Sequence, residues 1–191
     1  MYNSKYIATS DGFESQFGIN HLSHFLLTNE LIPCLNKASS VIINLSSCAH
    51  YGAKRINYET VTLNKGFQVN GHYAQSKLAN VLFTLSLHDR LKGKNVSVYA
   101  AHPGGIRTQI YRGDPLMDRA INQIVPKVLP WAMLEPIDGS LTPLFLAFFH
   151  PEQGRGKYFA DLREQPMNPY ATIEAADELW KKSCEFIGKK V

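Results

Sequence analysis

The chain has 191 residues, 45% hydrophobic and 19% charged, with a formal net charge of +4; this suffices for one globular domain with its own core and excludes a disordered chain. The positive charges are scattered, with no dense basic run beyond Lys189-Lys190, so no nucleic-acid interface is expected. Three widely spaced cysteines, Cys34, Cys48 and Cys184, exclude a disulfide framework and a Cys-x-x-Cys zinc site.

Residues 1–10 are polar and irregular and read as a loop. No apolar run of the kind a secretion signal needs follows Met1. The longest apolar stretch, around 141–149, falls far short of the roughly 20 residues of a membrane span. The expected location is the cytoplasm, with peripheral membrane attachment left open. From Asp11 a long helix is predicted, because Phe13, Phe17, Asn20, His24, Leu27 and Leu31 recur at helical period. Ile19, Leu22, Phe25 and Leu26 make the rest of it apolar, so it should be buried on several sides. His24 reads as a core histidine. Residues 41–45, Val-Ile-Ile-Asn-Leu, read as a buried parallel strand. Residues 48–71 read as loop, punctuated by Gly52, Gly66 and Gly71.

A second helix is predicted over 72–91, where Ala74, Leu78, Val81, Leu82, Leu85 and Leu91 keep helical spacing. Residues 96–100 form another strand, and His102-Pro103-Gly104-Gly105 breaks the chain. Residues 114–130 read as a loosely helical excursion, 139–149 as a third main helix, and 156–159 as a short strand. A last helix runs from Thr172, a good N-cap, to Gly188, a good terminating glycine. The order is α-β-α-β-α-β-α, which implies an α/β fold with a parallel sheet and helices on its faces. Ligands in such folds bind beyond the carboxyl ends of the strands. Ser47 follows one strand end, His102-Pro103-Gly104 follows another, and Tyr73 opens a helix, so three segments converge on one edge.

Tyr73 and Lys77 stand four residues apart, on one face of the predicted helix. A phenol titrates near 10, and a neighbouring cation favours its ionised form, so the pair can exchange a proton with an alcohol or carbonyl oxygen. Tyr-x-x-x-Lys alone is equally a surface helix pair. Ser47 can offer a hydroxyl to the same oxygen; Ser46 competes, and strand alternation lets one of the two face the site. Asn20, mid-stripe on an apolar helix, must find polar partners. His21-x-x-His24 lacks a carboxylate partner, so no metal is expected. A serine hydrolase built on Ser47 and His102 lacks the Gly-x-Ser-x-Gly elbow.

Phe17-Gly18-Ile19-Asn20-His21-Leu22-Ser23-His24-Phe25, then Ile43-Asn44-Leu45-Ser46-Ser47, Tyr73-Ala74-Gln75-Ser76-Lys77-Leu78-Ala79-Asn80, and His102-Pro103-Gly104 with Thr108 together resemble the short-chain dehydrogenase/reductase family. Within it they are most similar to the retinol-dehydrogenase and WW-domain-oxidoreductase-like branch, as is Leu179-Trp180-Lys181-Lys182-Ser183. The resemblance spans about residues 11–187. It implies a Rossmann-like, doubly wound parallel sheet and interconversion of an alcohol and a carbonyl with NAD or NADP, the latter slightly favoured. Tyr73 would be the general acid/base. Lys77 would lower its pKa and hold the nicotinamide ribose, Ser47 would orient the substrate, and Asn20 would hold a relay water. Pro103, Gly104, Ile106 and Thr108 would contact the nicotinamide end. Apolar residues in 109–134 point to a lipophilic substrate such as a retinoid, steroid or lipid aldehyde. The family often dimerises through the two central helices, here about 11–32 and 72–91.

The 191 residues contain no Gly-x-x-x-Gly-x-Gly turn for the pyrophosphate and no residue after a second strand to choose between NAD and NADP. Measured against the family, the first four strands are not among them, so residues 1–191 read as one incomplete domain holding the fifth, sixth and seventh strands. Three readings follow: a piece of an active oxidoreductase, a non-catalytic binding or regulatory module that offers its open sheet edge, or a chain completed by a partner that supplies the missing strands.

Overall fold

The computed structural model describes residues 1–35, 39–62, 66, 68–111, 114–128 and 135–188. The alternation expected from the sequence is present. A helical turn (Ser15–Phe17) and a π-helical segment (Gly18–Leu22) lead into helix α1 (Ser23–Leu35) and strand β1 (Ser40–Leu45). A 3-10 turn (Cys48–Gly52) precedes helix α2 (Val69–Arg90) and strand β2 (Val96–Ala101). The predicted excursion holds three short helical segments, Pro115–Arg119, Ala120–Ile124 and Val125–Val128; its residues 129–130 lie outside the described residues. Pro136–Gly139 then introduces helix α3 (Leu141–Phe149), followed by strands β3 (Tyr158–Ala160) and β4 (Arg163–Gln165) and helix α4 (Ile173–Ile187).

The sheet runs β1-β2-β3-β4. β1 and β2 pair in parallel from Ser40 opposite Val96 to Leu45 opposite Ala101, and β2 pairs in parallel with β3. β4 returns antiparallel to β3, with Phe159 opposite Glu164. Strand alternation divides the core. Ile42, Val96 and Val98 join Phe25, Phe83, Leu87 and Trp180 on one face, while Tyr99, Ala101 and Phe159 join Leu146 on the other, with Val41, Ile43 and Phe145 against them. A third cluster, including Phe17, Leu22, Leu78, Leu82 and Leu179, packs the helices together.

Two features depart from the expected elements. The predicted apolar stripe does not stay on one face: Phe17, Asn20, His21, Leu22 and Phe25 are buried, whereas His24 is exposed and Leu27 and Leu31 are 56% and 45% exposed. The π-helical segment is the physical reason, because its i→i+5 bonds rotate the following residues off the 3.6-residue register. The core histidine is therefore His21, whose Nε2 lies 2.9 Å from Ser183 Oγ. The second departure is β4, a three-residue polar edge strand without hydrophobic alternation.

α4 begins at Thr172, whose hydroxyl accepts from the Ala175 amide, and ends at Gly188 at φ +65. It lies across both central helices. Trp180 meets Phe25 and Phe83 edge-on or tilted, and the Arg90 guanidinium stacks over Trp180 and pairs with Asp177 at 3.2 Å. Among the described residues, no helix is long and apolar enough to cross a membrane.

Candidate active site

The carboxyl end of β1 is tied to α2 by three hydrogen bonds. Lys77 Nζ and Asn80 Nδ2 donate to the Leu45 carbonyl at 3.2 and 2.9 Å, and Ser46 Oγ donates to the Lys77 carbonyl at 2.8 Å. Ser46 is thus a buried structural serine. Ser47, the next residue, lines an open cavity of about 920 Å³ together with Tyr73 and Lys77. Ser46 reaches the cavity wall as well, but its hydroxyl is committed to the Lys77 carbonyl.

α2 is buried on several sides: Ala74, Leu78, Ala79 and Leu82 pack against the helices, and Val81, Phe83 and Leu87 join the clusters on the sheet. That burial sets the direction of the neighbouring positions 73 and 77, one helical turn apart. Lys77 Nζ lies 5.6 Å from the Tyr73 ring centroid. Burial lowers the Lys77 pKa to about 8 and pushes Tyr73 up to about 12, against the opposing hydrogen bond from Ser47. The sequence led us to expect a Tyr73 pKa depressed by its cation. Burial outweighs that effect here, and the ammonium is spent partly on the Leu45 carbonyl, so Tyr73 is a protonated phenol at neutral pH.

Pro103, Gly104, Ile106 and Thr108 all line the same cavity. Gly104 sits at φ +93, a backbone region that favours glycine. Ile106 packs directly on Gly139, where an added Cβ would lie 2.0 Å from Ile106 Cδ1, and this seats the 103–108 turn on the helical turn before α3. Ile110, Tyr111, Met117 and Ile121 make the far wall apolar.

Asn20 is not on the cavity wall. Its Nδ2 donates to the Met1 carbonyl at 2.8 Å and to Ser76 Oγ at 3.0 Å, and its Oδ1 accepts from the Met1 nitrogen at 2.6 Å. Ser76 Oγ in turn donates to the Tyr73 carbonyl at 2.8 Å. Asn20 therefore braces the Tyr73 turn from behind, with its amide fully engaged. Sequence reasoning missed Tyr2, which meets Tyr73 and Tyr111 edge-on with centroids 5.6 and 5.0 Å apart; it lies in a segment with no periodicity to mark it. It also missed His50, buried behind Ser47.

A sequence profile described as short chain dehydrogenase matches residues 3–115. Retinol dehydrogenase 14 of Mus musculus is 38% identical over 193 residues, a match covering 98% of this chain and 57% of that protein. Retinol dehydrogenase 13 of Mus musculus is 41% identical over 185 residues, covering 94% and 55%. The chain thus spans a little over half the length of these relatives. The crystal structure of an uncharacterized protein from Mycobacterium paratuberculosis superposes with a TM-score of 0.71 at 28% identity, covering all of this chain and 65% of the other. Matched over more than half its length and folded in the same way, the chain belongs to the short-chain dehydrogenase/reductase family, in its retinol dehydrogenase-like branch.

Proposed function

We propose that the chain carries the proton-handling centre of a nicotinamide-dependent oxidoreductase that interconverts a lipophilic alcohol and its carbonyl. The observation that supports this best is the placement of Ser47, Tyr73 and Lys77 on the wall of one cavity whose far side is apolar. In the reductive direction, Tyr73 gives its phenolic proton to the carbonyl oxygen, and Ser47 donates a hydrogen bond to the same oxygen. The phenolate left on Tyr73 is stabilised by the Lys77 ammonium one turn away. A phenol held at about 12 keeps its proton at neutral pH and so stands ready as the acid.

The donor set fits the nicotinamide-ribose end of NAD or NADP. Lys77 Nζ and the Tyr73 hydroxyl would hold the ribose, and the backbone of the 103–108 turn would meet the nicotinamide. When bound, the nicotinamide supplies or accepts the hydride at the substrate carbon. The 191 residues hold no glycine-rich turn for the pyrophosphate. NADP as the preferred form rests on family resemblance. The test is turnover of a panel of lipophilic aldehydes and ketones with NADPH and NADH. Tyr73→Phe is expected to lower kcat about a hundredfold or more; an absence of both cofactor binding and turnover in the wild-type chain would overturn the reading.

A second reading, a non-catalytic binding module, draws on the outer edge of β1, which has no strand partner among the described residues. It expects partner capture to survive Tyr73→Phe.

A further inference from the structure

We infer that His50 is a positioning residue for Ser47: its imidazole fixes the peptide that carries the serine, and Asn168 holds the same turn from the opposite side. The inference rests on the proposed role of Ser47 as the hydroxyl that meets the substrate oxygen.

Ser47 is the extended residue, at φ −163 and ψ 156, that opens the 3-10 turn Cys48–Gly52. Its hydroxyl accepts from the Ala49 amide at 3.2 Å and bonds the Tyr73 hydroxyl, so a ligand oxygen in the cavity competes with Tyr73 for its proton. His50 Nδ1 lies 2.6 Å from the Ser47 carbonyl oxygen. A carbonyl can only accept, so Nδ1 carries the proton and donates, and Nε2 is the bare nitrogen of a neutral ring. Three observations agree with that tautomer. His50 is fully buried. Burial lowers its pKa. Nε2 is buried with no partner among the described residues, a position at which a proton would be stranded. The ring is also locked in orientation, between Tyr51 with centroids 4.0 Å apart and Tyr158 of β3 at 4.5 Å.

The outer side of the turn is fastened to a segment more than a hundred residues away. Asn168 is buried, and its Nδ2 donates to the carbonyls of His50 and Ala53 at 2.5 and 2.7 Å. Its Oδ1 accepts from the Tyr170 amide at 2.8 Å, and the Tyr51 hydroxyl donates to the Pro166 carbonyl. The turn is thus gripped from within by the imidazole and from without by residues 166–168, which follow β4. The orientation of the Ser47 Cα–Cβ bond toward Tyr73 follows from that grip.

Variants of the full chain separate positioning from simple loss of structure. His50→Asn places an amide N–H near the Nδ1 position and keeps the bond to Ser47. His50→Gln reaches the Nε2 position, and His50→Leu keeps bulk alone. With a carbonyl substrate and NADPH, His50→Leu and His50→Gln are expected to lower kcat by about tenfold to a hundredfold with cofactor KM unchanged, and His50→Asn to restore most of it. Equal loss in all three at native thermal midpoints, or no loss in any, would overturn the inference. Independently of turnover, nitrogen NMR of the imidazole should show a protonated Nδ1 and a bare Nε2 at about pH 7 to 8, and the Ser47 and Ala49 amide shifts should move in His50→Leu and return in His50→Asn. A wild-type chain that turns over nothing but gives this spectrum refutes the oxidoreductase reading and leaves the clamp standing. An Nε2–H tautomer refutes the clamp, whatever the activity.

Discussion

Three residues here have their charge state set by burial, and two of them make a pH dependence measurable. Tyr73 keeps its proton to about 12, whereas Lys77 loses its proton near 8. If the Lys77 ammonium stabilises the phenolate that Tyr73 leaves behind, reductive turnover should fall as pH rises through about 8, and that limb belongs to Lys77. Lys77→Arg carries a charge that does not titrate in this range, so its pH–rate profile should lose the limb even at a lower maximum rate. The third residue, His21, is packed among Phe17, Phe25 and Phe83, and burial lowers its pKa to about 3. Above pH 6.5 the ring is neutral both folded and unfolded and contributes nothing to the pH dependence. Between about 6.5 and 3 the unfolded chain takes up a proton that the folded chain refuses, so stability falls by about 1.4 kcal/mol per pH unit. Urea midpoints at pH 7 and pH 5 should converge in His21→Gln.

At the scale of elements, what was legible followed from periodicity and from caps. α2 and α4 declare themselves by helical spacing, and α4 also by Thr172 and Gly188, which end it as expected. Thr172→Ala removes the acceptor for the Ala175 amide and should cost about 1 kcal/mol, read as a shift in denaturant midpoint without a change in slope. Tyr73 and Lys77 were legible because a spacing of four on a helix is a geometric statement in itself. β4 was not, because Arg163-Glu164-Gln165 presents no apolar alternation and is held by pairing with β3 and by the Lys157–Glu164 ion pair. The first helix was legible as apolar, yet its face was misassigned: a π turn is set by tertiary packing and leaves no mark in the spacing. The His50–Asn168 clamp was invisible for a related reason. Its partners are 118 residues apart in the chain, and it consists of bonds to backbone carbonyls, which sequence does not display. Asn20 shows the converse case, where spacing marks a buried amide but not its bond to Ser76 behind the Tyr73 turn.

Over the whole molecule, apolar surface is distributed unevenly. α4 covers part of the central helices through its Trp180 and Ser183 contacts. The opposite situation holds at β1. Leu45 at its end is 50% exposed, and among the described residues the strand pairs only with β2. α3, which packs on this sheet through Phe145 and Leu146, leaves Phe148 and Phe149 73% and 71% exposed. Exposed aromatic residues next to an open parallel edge favour association, because backbone bonding and apolar burial are available together. Sedimentation velocity of the 191-residue chain should therefore show concentration-dependent self-association. The double substitution Phe148→Asp with Phe149→Asp should suppress it, while each exposed site alters folding stability by no more than about 0.5 kcal/mol. A double variant that associates as strongly as the wild type would remove α3 from the interface and leave the β1 edge itself as the surface that drives association.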